Sequence, residues 1–428
     1  MSVACSPLSD TEIVVARAVT PGCDSDLGIV HLNHAGCSLA PQVVLDVEMA
    51  HLHRESMIGG YEAADEAGDL SAAVYSSIAR LIGAQSHEIA RVENATAGWN
   101  AAFWSVPMVA GQRILVHDHE YGANAVAFIR AAENRGVVID PVPSDSTGQV
   151  SVDAVAERLS RGDVALVSLT HIPTNGGLVN PAAEIGVLTR AAEVPYLVDG
   201  CQSIGQRDID VEAIGCDFYS ATGRKFLRGP RGTGFLYVRD SILDRVEPSQ
   251  PDHWGASLPG TTENPEILRK SNAMRSDSAR FQGVAGLDHF EWMPGARRFE
   301  HFEHSVAGWL GLGAAVDHAL EWGTARIERT VSNRAEQLRS MLTDAGFEVY
   351  DQGEVRSGIV TTATGRVPST DLHRALSARG INTSTTTFAS SPYDTIRRDL
   401  PPLLRLSVQY TTTAEELAVA VAALRSLI

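Results

Sequence analysis

Apolar runs of strand length alternate with helical periods along most of this chain. Residues 196–198, Tyr-Leu-Val, form a short buried-strand run that stops abruptly on Asp199 and Gly200. Residues 164–169 form another β-rich run, ending in the polar stretch THIPTNGG (170–177). ILVHDHEYGANAV (114–126) predicts a strand, a loop carrying His117, His119 and Tyr121, and then a helix. Two more strands are expected at 218–219 and 234–238. HLNHAGCSLAP (31–41) reads as a short strand and a turn, followed by an amphipathic helix over 41–57 that Gly59-Gly60-Tyr61 breaks. A further helix is expected over 71–82, with Ser71 as N-cap and Gly83 as its stop. Each strand end is followed by a polar loop, the pattern of a mostly parallel, doubly wound α/β sheet.

The remainder is read more coarsely. Residues 1–30 lack a clean period and predict a loosely packed arm or short helix. Residues 252–282, rich in Pro, Gly and Ser, predict an extended loop near the site. A long helical pattern covers 296–323 and another helix lies around 331–345. Strands near 346–350 and 357–362, a helix over 369–379, a strand at 403–410 and a closing helix over 412–428, capped by Thr and Glu, form a β/α/β tail. That tail predicts a second, smaller domain. No internal repeat or low-complexity segment is present.

Composition narrows the function classes. A chain of 428 residues can bury a large core and form two domains. Its formal charge of −17 argues against nucleic acid or an anionic membrane as partner. No apolar run has the length of a membrane span, and the N-terminus lacks a basic, then apolar, leader pattern. The five cysteines (5, 23, 37, 201 and 216) lack metal-ligand spacing and fit a reducing cytoplasm, so no metal is expected.

Lysine usage then picks out one position. Of 35 Lys plus Arg, only Lys225 and Lys270 are lysine. A chain that writes its positive charge as Arg keeps a lysine where an amine is needed, because Arg cannot form a Schiff base. Alone, Lys225 fits a solvated loop far better. Beside the Asp199 strand end and the small polar run Ser220-Ala-Thr-Gly-Arg224, it becomes a candidate catalytic amine. Residues 91–100 form a small, polar turn opening a helix, a place that binds phosphate through free N–H groups and the helix dipole. Tyr121 and its neighbouring histidines fit an aromatic face over a planar cofactor or a satisfied surface loop.

The stretch VDGCQSIGQ…GCDFYSATGRKFLRGPRGTGFLYVR resembles the lysine region of class V aminotransferase-fold enzymes, which use pyridoxal 5′-phosphate (PLP). The likeness runs from about residue 31 to the end. It implies fold type I, with an N-terminal segment (1–30) packing on the small domain, a PLP-binding large domain (31–295) and a small C-terminal domain (296–428). Carried over, Lys225 would be the Schiff-base lysine and Asp199 the partner of the pyridinium nitrogen. Gln202 would lie near the phenolic oxygen and Tyr121 on the ring face. Ala95, Thr96, Thr222 and Arg224 would meet the phosphate, Arg224 standing where His is commoner. Arg405, in LLRLSVQY, would hold the substrate α-carboxylate, with Asn33 and Tyr61 as further substrate contacts. The family also implies a homodimer with shared sites and a small amino-acid substrate.

Desulfurases of this fold need a nucleophilic cysteine in the loop before that arginine, and residues 381–402 contain none. HLNHAGCSLAPQVVLDVEMAHLHRESMIGGYEAADEA is similar instead to the branch of ergothioneine-pathway C–S lyases and of lincosamide-pathway enzymes that process S-glycosylated cysteine. Gly59-Gly60-Tyr61, Arg224-Lys225 and Glu303 match, whereas Phe302 replaces a glycine between His301 and Glu303. The reaction expected is β-elimination from an S-substituted L-cysteine in secondary metabolism. Decarboxylation-coupled oxidative deamination to an aldehyde is the alternative, and desulfuration ranks last.

Overall fold

The computed structural model describes residues 6–258 and 289–428. Helix α1 (Asp10–Ala18) starts on a Ser9–Glu12 capping box, and β1 (Val30–His31) follows it. Helices α2 (Gln42–Ile58), α3 (Gly60–Glu66) and α4 (Gly68–Ile82) lead into β2 (Ile89–Val92) and α5 (Ala95–Ser105). Next come β3 (Arg113–His117), α6 (Gly122–Arg135), β4 (Val138–Val142), α7 (Val152–Leu159) and β5 (Val164–Thr170). Helix α8 (Ala182–Ala191), β6 (Tyr196–Asp199), the short α9 (Val211–Ile214), β7 (Phe218–Thr222) and β8 (Gly234–Val238) complete the large α/β unit.

These strands form one seven-stranded sheet in the order β2-β8-β7-β6-β5-β3-β4. Pairings from β4 through β7 are parallel, and β8 runs antiparallel to both neighbours. Every residue of β5, β6, β7 and β8 is buried, because helices cover both faces of the sheet. Register sets Thr170 beside Asp199 and Asp199 beside Ser220, so the carboxyl ends of β5, β6 and β7 share one edge.

The strands β9 (Ala256–Ser257) and β10 (Glu291–Trp292) pair antiparallel and precede α10 (Val306–Trp322) and α11 (Thr324–Asp344). The C-terminal part contains β11 (Glu348–Val349), β12 (Ile359–Ala363), α12 (Ser369–Ser377), β13 (Ile381–Asn382), β14 (Ser384–Thr385), α13 (Pro392–Arg397), β15 (Leu404–Ser407) and α14 (Ala414–Arg425). Its antiparallel sheet has the order β11-β12-β15-β14. β1 pairs with β13, and Asn33 bridges to Ser407, which ties the N-terminal segment to this sheet. Helix α1 joins the same region through Arg17, which bonds Glu416 at 2.9 Å and the Thr411 carbonyl at 2.8 Å.

Several elements differ from the sequence expectation. The pattern over 296–323 is not one helix: residues 295–299 form a 3-10 turn, and α10 begins only after Ser305, whose hydroxyl accepts from Gly308 N. The repeated Glu-His pairs of residues 300–304 imitate a helical period, but Glu300 is buried and accepts from the Tyr75 hydroxyl and Arg91 N instead. Gly59-Gly60 turns the chain with Gly59 at φ 106° and restarts it as α3, so Ser71 lies inside α4 rather than capping it. Helix α11 starts seven residues before the expected 331, directly after Gly323 at φ 84°. Of the expected loop, residues 259–282 lie outside the described residues. Close approach fixes α10 against α2 and α4: a Cβ on Gly313 would lie 2.6 Å from Val74 Cγ2, and one on Gly311 2.7 Å from Glu48 Cγ.

Candidate functional site

Residues from both faces of the resemblance converge on a cavity of about 530 Å³ at the carboxyl edge of the large sheet, where open α/β sheets bind ligands. Ala95, Thr96, Tyr121, Asp199, Gln202, Thr222, Arg224 and Lys225 all line it. Asp199 ends β6, Thr222 ends β7 and Lys225 follows three residues later. The turn after Lys225 holds Arg228 at φ 65°, a left-handed conformation that a non-glycine residue adopts only when its surroundings enforce it. Three bonds do so: Arg228 Nε to Leu39 O at 2.9 Å, Nη2 to Thr20 Oγ1 at 2.6 Å, and Nη1 to the Tyr410 hydroxyl.

Asp199 is buried and its carboxyl is pushed up by burial. The Cys201 N–H, 3.0 Å from Oδ1, the Lys225 amine, and Asn124 Nδ2, 3.2 Å from Oδ2, pull it back. A cationic ring nitrogen would complete this set. At the opposite end, α5 begins with Asn94, whose side chain accepts from Ala97 N at 2.9 Å. That leaves the Ala95 and Thr96 N–H groups without helical partners, as an anion requires. Gln202 donates through Nε2 to Ala35 O at 3.1 Å and Thr174 Oγ1 at 3.0 Å, while its buried Oε1 has no partner.

Arg405 is 8% exposed and lies beside the cavity on β15. Its Nη1 donates to the Thr174 carbonyl (3.0 Å) and hydroxyl (2.9 Å), and its Nη2 to Asn33 Oδ1 at 3.3 Å. Its Nε is buried without a partner. Burial, and then the charge of Arg224, lower its guanidinium to about 10. A buried cation with a spare donor and no carboxylate partner has the chemistry to take an anion. Arg224 Nη1 donates to Gly36 O, so the 33–38 turn closes over the lysine segment.

Tyr61 is not brought to this cavity. It is 73% exposed on α3, with its ring 6.5 Å from Phe302, which also meets His253 at 5.2 Å and Trp254 at 5.9 Å. Conversely, sequence reasoning passed over Glu120, Asn124, Thr174 and Cys201. Asn124, Thr174 and Cys201 line the cavity, and Glu120 lies behind it, bonded to Asn124 and Thr170. The i,i+4 spacing of Glu120 and Asn124 and the position of Thr174 in a polar strand-end loop were the available signals. Burial raises the Cys201 thiol above an ordinary thiol, against the nearby charge of Lys225. His117 and His119 are buried beneath the loop and held neutral by burial. Among the described residues no cluster of His, Cys, Asp or Glu could hold a metal ion, and no helix is long and apolar enough to cross a membrane.

The residue set therefore fits PLP: an amine, a strand-end carboxylate, a helix N-terminus for phosphate and an arginine for the substrate carboxylate. A cysteine desulfurase of Yersinia pestis (strain Pestoides F) is 28% identical over 408 residues, covering 93% of both chains. The apo structure of a cysteine desulfurase from Thermococcus onnurineus NA1 superposes with a TM-score of 0.82 at 19% identity, covering 99% of each chain. The cystine C–S lyase C-DES, solved with its product cysteine persulfide, gives 0.79 at 23% identity over 95% of this chain and 99% of that one. These likenesses show a shared fold. The Aminotransferase class-V family description matches residues 30–257 and 267–419, most of the chain, and the protein belongs to that family.

Proposed function

We propose that this protein is a PLP-dependent carbon–sulfur lyase that performs β-elimination on an S-substituted L-cysteine, releasing a thiol, pyruvate and ammonia. The observation that carries this reading is the meeting of Lys225 and Asp199 in one cavity, with the buried, carboxylate-free Arg405 bonded to Thr174 of its lining. PLP, when bound, supplies the electron sink that makes a Cα proton acidic.

This chain's residues do the rest. Arg405, braced by Thr174 and Asn33, takes the substrate carboxylate and thereby fixes which Cα bond stands ready to break. Asp199 keeps a proton on the ring nitrogen, and Lys225 Nζ removes the Cα proton. The electron pair left at Cα expels sulfur from Cβ. Water then completes the products, so that R–S–CH2–CH(NH3+)–COO− plus H2O gives RSH, pyruvate and ammonium. The relatives named as desulfurases support cysteine as the scaffold, whereas residues 381–402 carry no thiol to receive sulfur. Cys201 is a poor substitute, because burial disfavours its thiolate. A homodimer accords with the exposed apolar side chains of Met49, Leu52 and Met57 on α2 and of Tyr61. A natural-product thioether or sulfoxide conjugate of cysteine, in antibiotic or other secondary metabolism, is the substrate class proposed.

The test is to incubate PLP-loaded protein with cysteine, a cysteine sulfoxide conjugate and a thiosugar conjugate, and to identify products by mass. Pyruvate with free thiol or sulfenate supports the lyase. Carbon dioxide with an S-substituted acetaldehyde assigns the decarboxylating reaction instead, and alanine with protein-bound persulfide assigns desulfuration.

A further inference from the structure

A second carboxyl group lies behind Asp199. Glu120, in the loop between β3 and α6, is fully buried. Its Oε2 accepts from Thr170 Oγ1 at 2.9 Å and from Asn124 Nδ2 at 3.1 Å, and its Oε1 accepts from Ser168 Oγ at 3.2 Å. The same Asn124 Nδ2 donates to Asp199 Oδ2 at 3.2 Å. One amide nitrogen thus spans two carboxyl groups. Among the described residues Glu120 has no cationic partner, and the titratable groups that act on it or feel it are Asp199 and Tyr196 on β6 and Tyr393 on α13. A loop clamp in this position needs only a neutral acceptor; a buried carboxyl without a cation is costly.

We propose that Glu120 is a positioning residue for Asp199, holding Asn124 between the two carboxyl groups and setting, through that bridge, how tightly Asp199 keeps a proton on the cofactor's ring nitrogen. The inference rests on PLP being the cofactor. Ionised Glu120 makes the Asp199 neighbourhood more negative, which strengthens the hold on a cationic ring; protonated Glu120 relaxes it. Burial pushes the Glu120 carboxyl up to about 7, with Asp199 adding to the rise against the three donors, so this change falls near neutral pH.

The experiment reconstitutes native, E120Q and N124A apo-proteins with PLP and measures cofactor affinity by absorbance from pH 5.5 to 8.5, with circular dichroism to confirm folding. Comparing native with variant cancels the pH dependence that the two share. The native-to-E120Q affinity ratio is expected to rise about tenfold across this range, the size of a one-unit coupling, with a midpoint near 7. A ratio that stays constant overturns the proposal. Should E120Q not fold, the native-to-N124A ratio is read in the same way. The native protein and K225A separate the two failures: if native protein takes up no PLP with a covalent chromophore, the PLP reading itself is wrong; if native protein shows that chromophore and K225A loses it while the ratio is flat, only the role of Glu120 is wrong.

Discussion

Arg405 Nη1 donates at once to the hydroxyl (2.9 Å) and the backbone carbonyl (3.0 Å) of Thr174, and the same hydroxyl accepts from Gln202 Nε2 at 3.0 Å. Thr174 therefore joins Arg405 of the small sheet to Gln202 in the turn after β6. Thr174→Val keeps the shape and deletes the shared acceptor. Losing a hydrogen bond to a charged group is worth about 1.5–3 kcal/mol. The expected outcome is a kcat/KM lower by roughly 10- to 100-fold, carried mainly by KM. An unchanged KM in steady-state assays would remove Thr174 from substrate binding.

Lys225→Ala should abolish the protein-bound PLP chromophore and lower turnover by about 10³-fold, within the range for loss of a general base. Lys225→Arg should do the same although it keeps the charge, since arginine forms no Schiff base. Retained covalent absorbance in either variant would exclude Lys225 as the cofactor's attachment point.

Buried histidines, His34 and His119 among them, weaken the fold in acid, and three carry a definite shift. Burial lowers His117 and His171 to about 3 and His318 to about 4. The unfolded chain binds a proton at each near 6.5, whereas the native state does not until far lower pH. Stability from these groups is thus fully present above 6.5 and is lost as pH falls toward about 4 for His318 and about 3 for the other two. Each contributes a loss of about 2 kcal/mol at pH 5 relative to pH 7. Urea titrations at the two pH values check this, and His318→Gln should reduce the difference between them by about 2 kcal/mol.

Gly122 opens α6 beside Tyr121, and a Cβ there would lie 1.8 Å from the Ala389 carbonyl oxygen. Backbone cannot rotate away, so the segment before α13 must move. Gly122→Ala is expected to cost about 1–3 kcal/mol in urea unfolding and to weaken substrate affinity more than Gly60→Ala, where a Cβ meets nothing within 4 Å. Equal behaviour of the two variants would separate this contact from the site.

What the chain shows by itself is local. The apolar runs ending on Asp199 and on Thr170, the lysine kept among arginines, and the small-residue helix start at residue 95 each carry their meaning within a few positions, because strand burial, Schiff-base chemistry and helix-end electrostatics are short-range properties. Those signals found the large sheet, Lys225, Asp199 and the helix start, whereas Gln202, Thr222, Arg224 and Arg405 came only from the family resemblance. The same signals misjudged 296–323 and Ser71, where charge spacing and a capping residue type imitated helix signals that packing did not use. Tertiary structure alone decided the remainder. Arg405 reaches Thr174 and Asn33 across 231 and 372 residues of chain. Glu120 meets Thr170 and, through Asn124, Asp199, because β3, β5 and β6 place their carboxyl ends at one edge. A carboxylate in a polar loop reads as solvated in sequence; only the fold, by burying it against a second one, gives it a charge state to control.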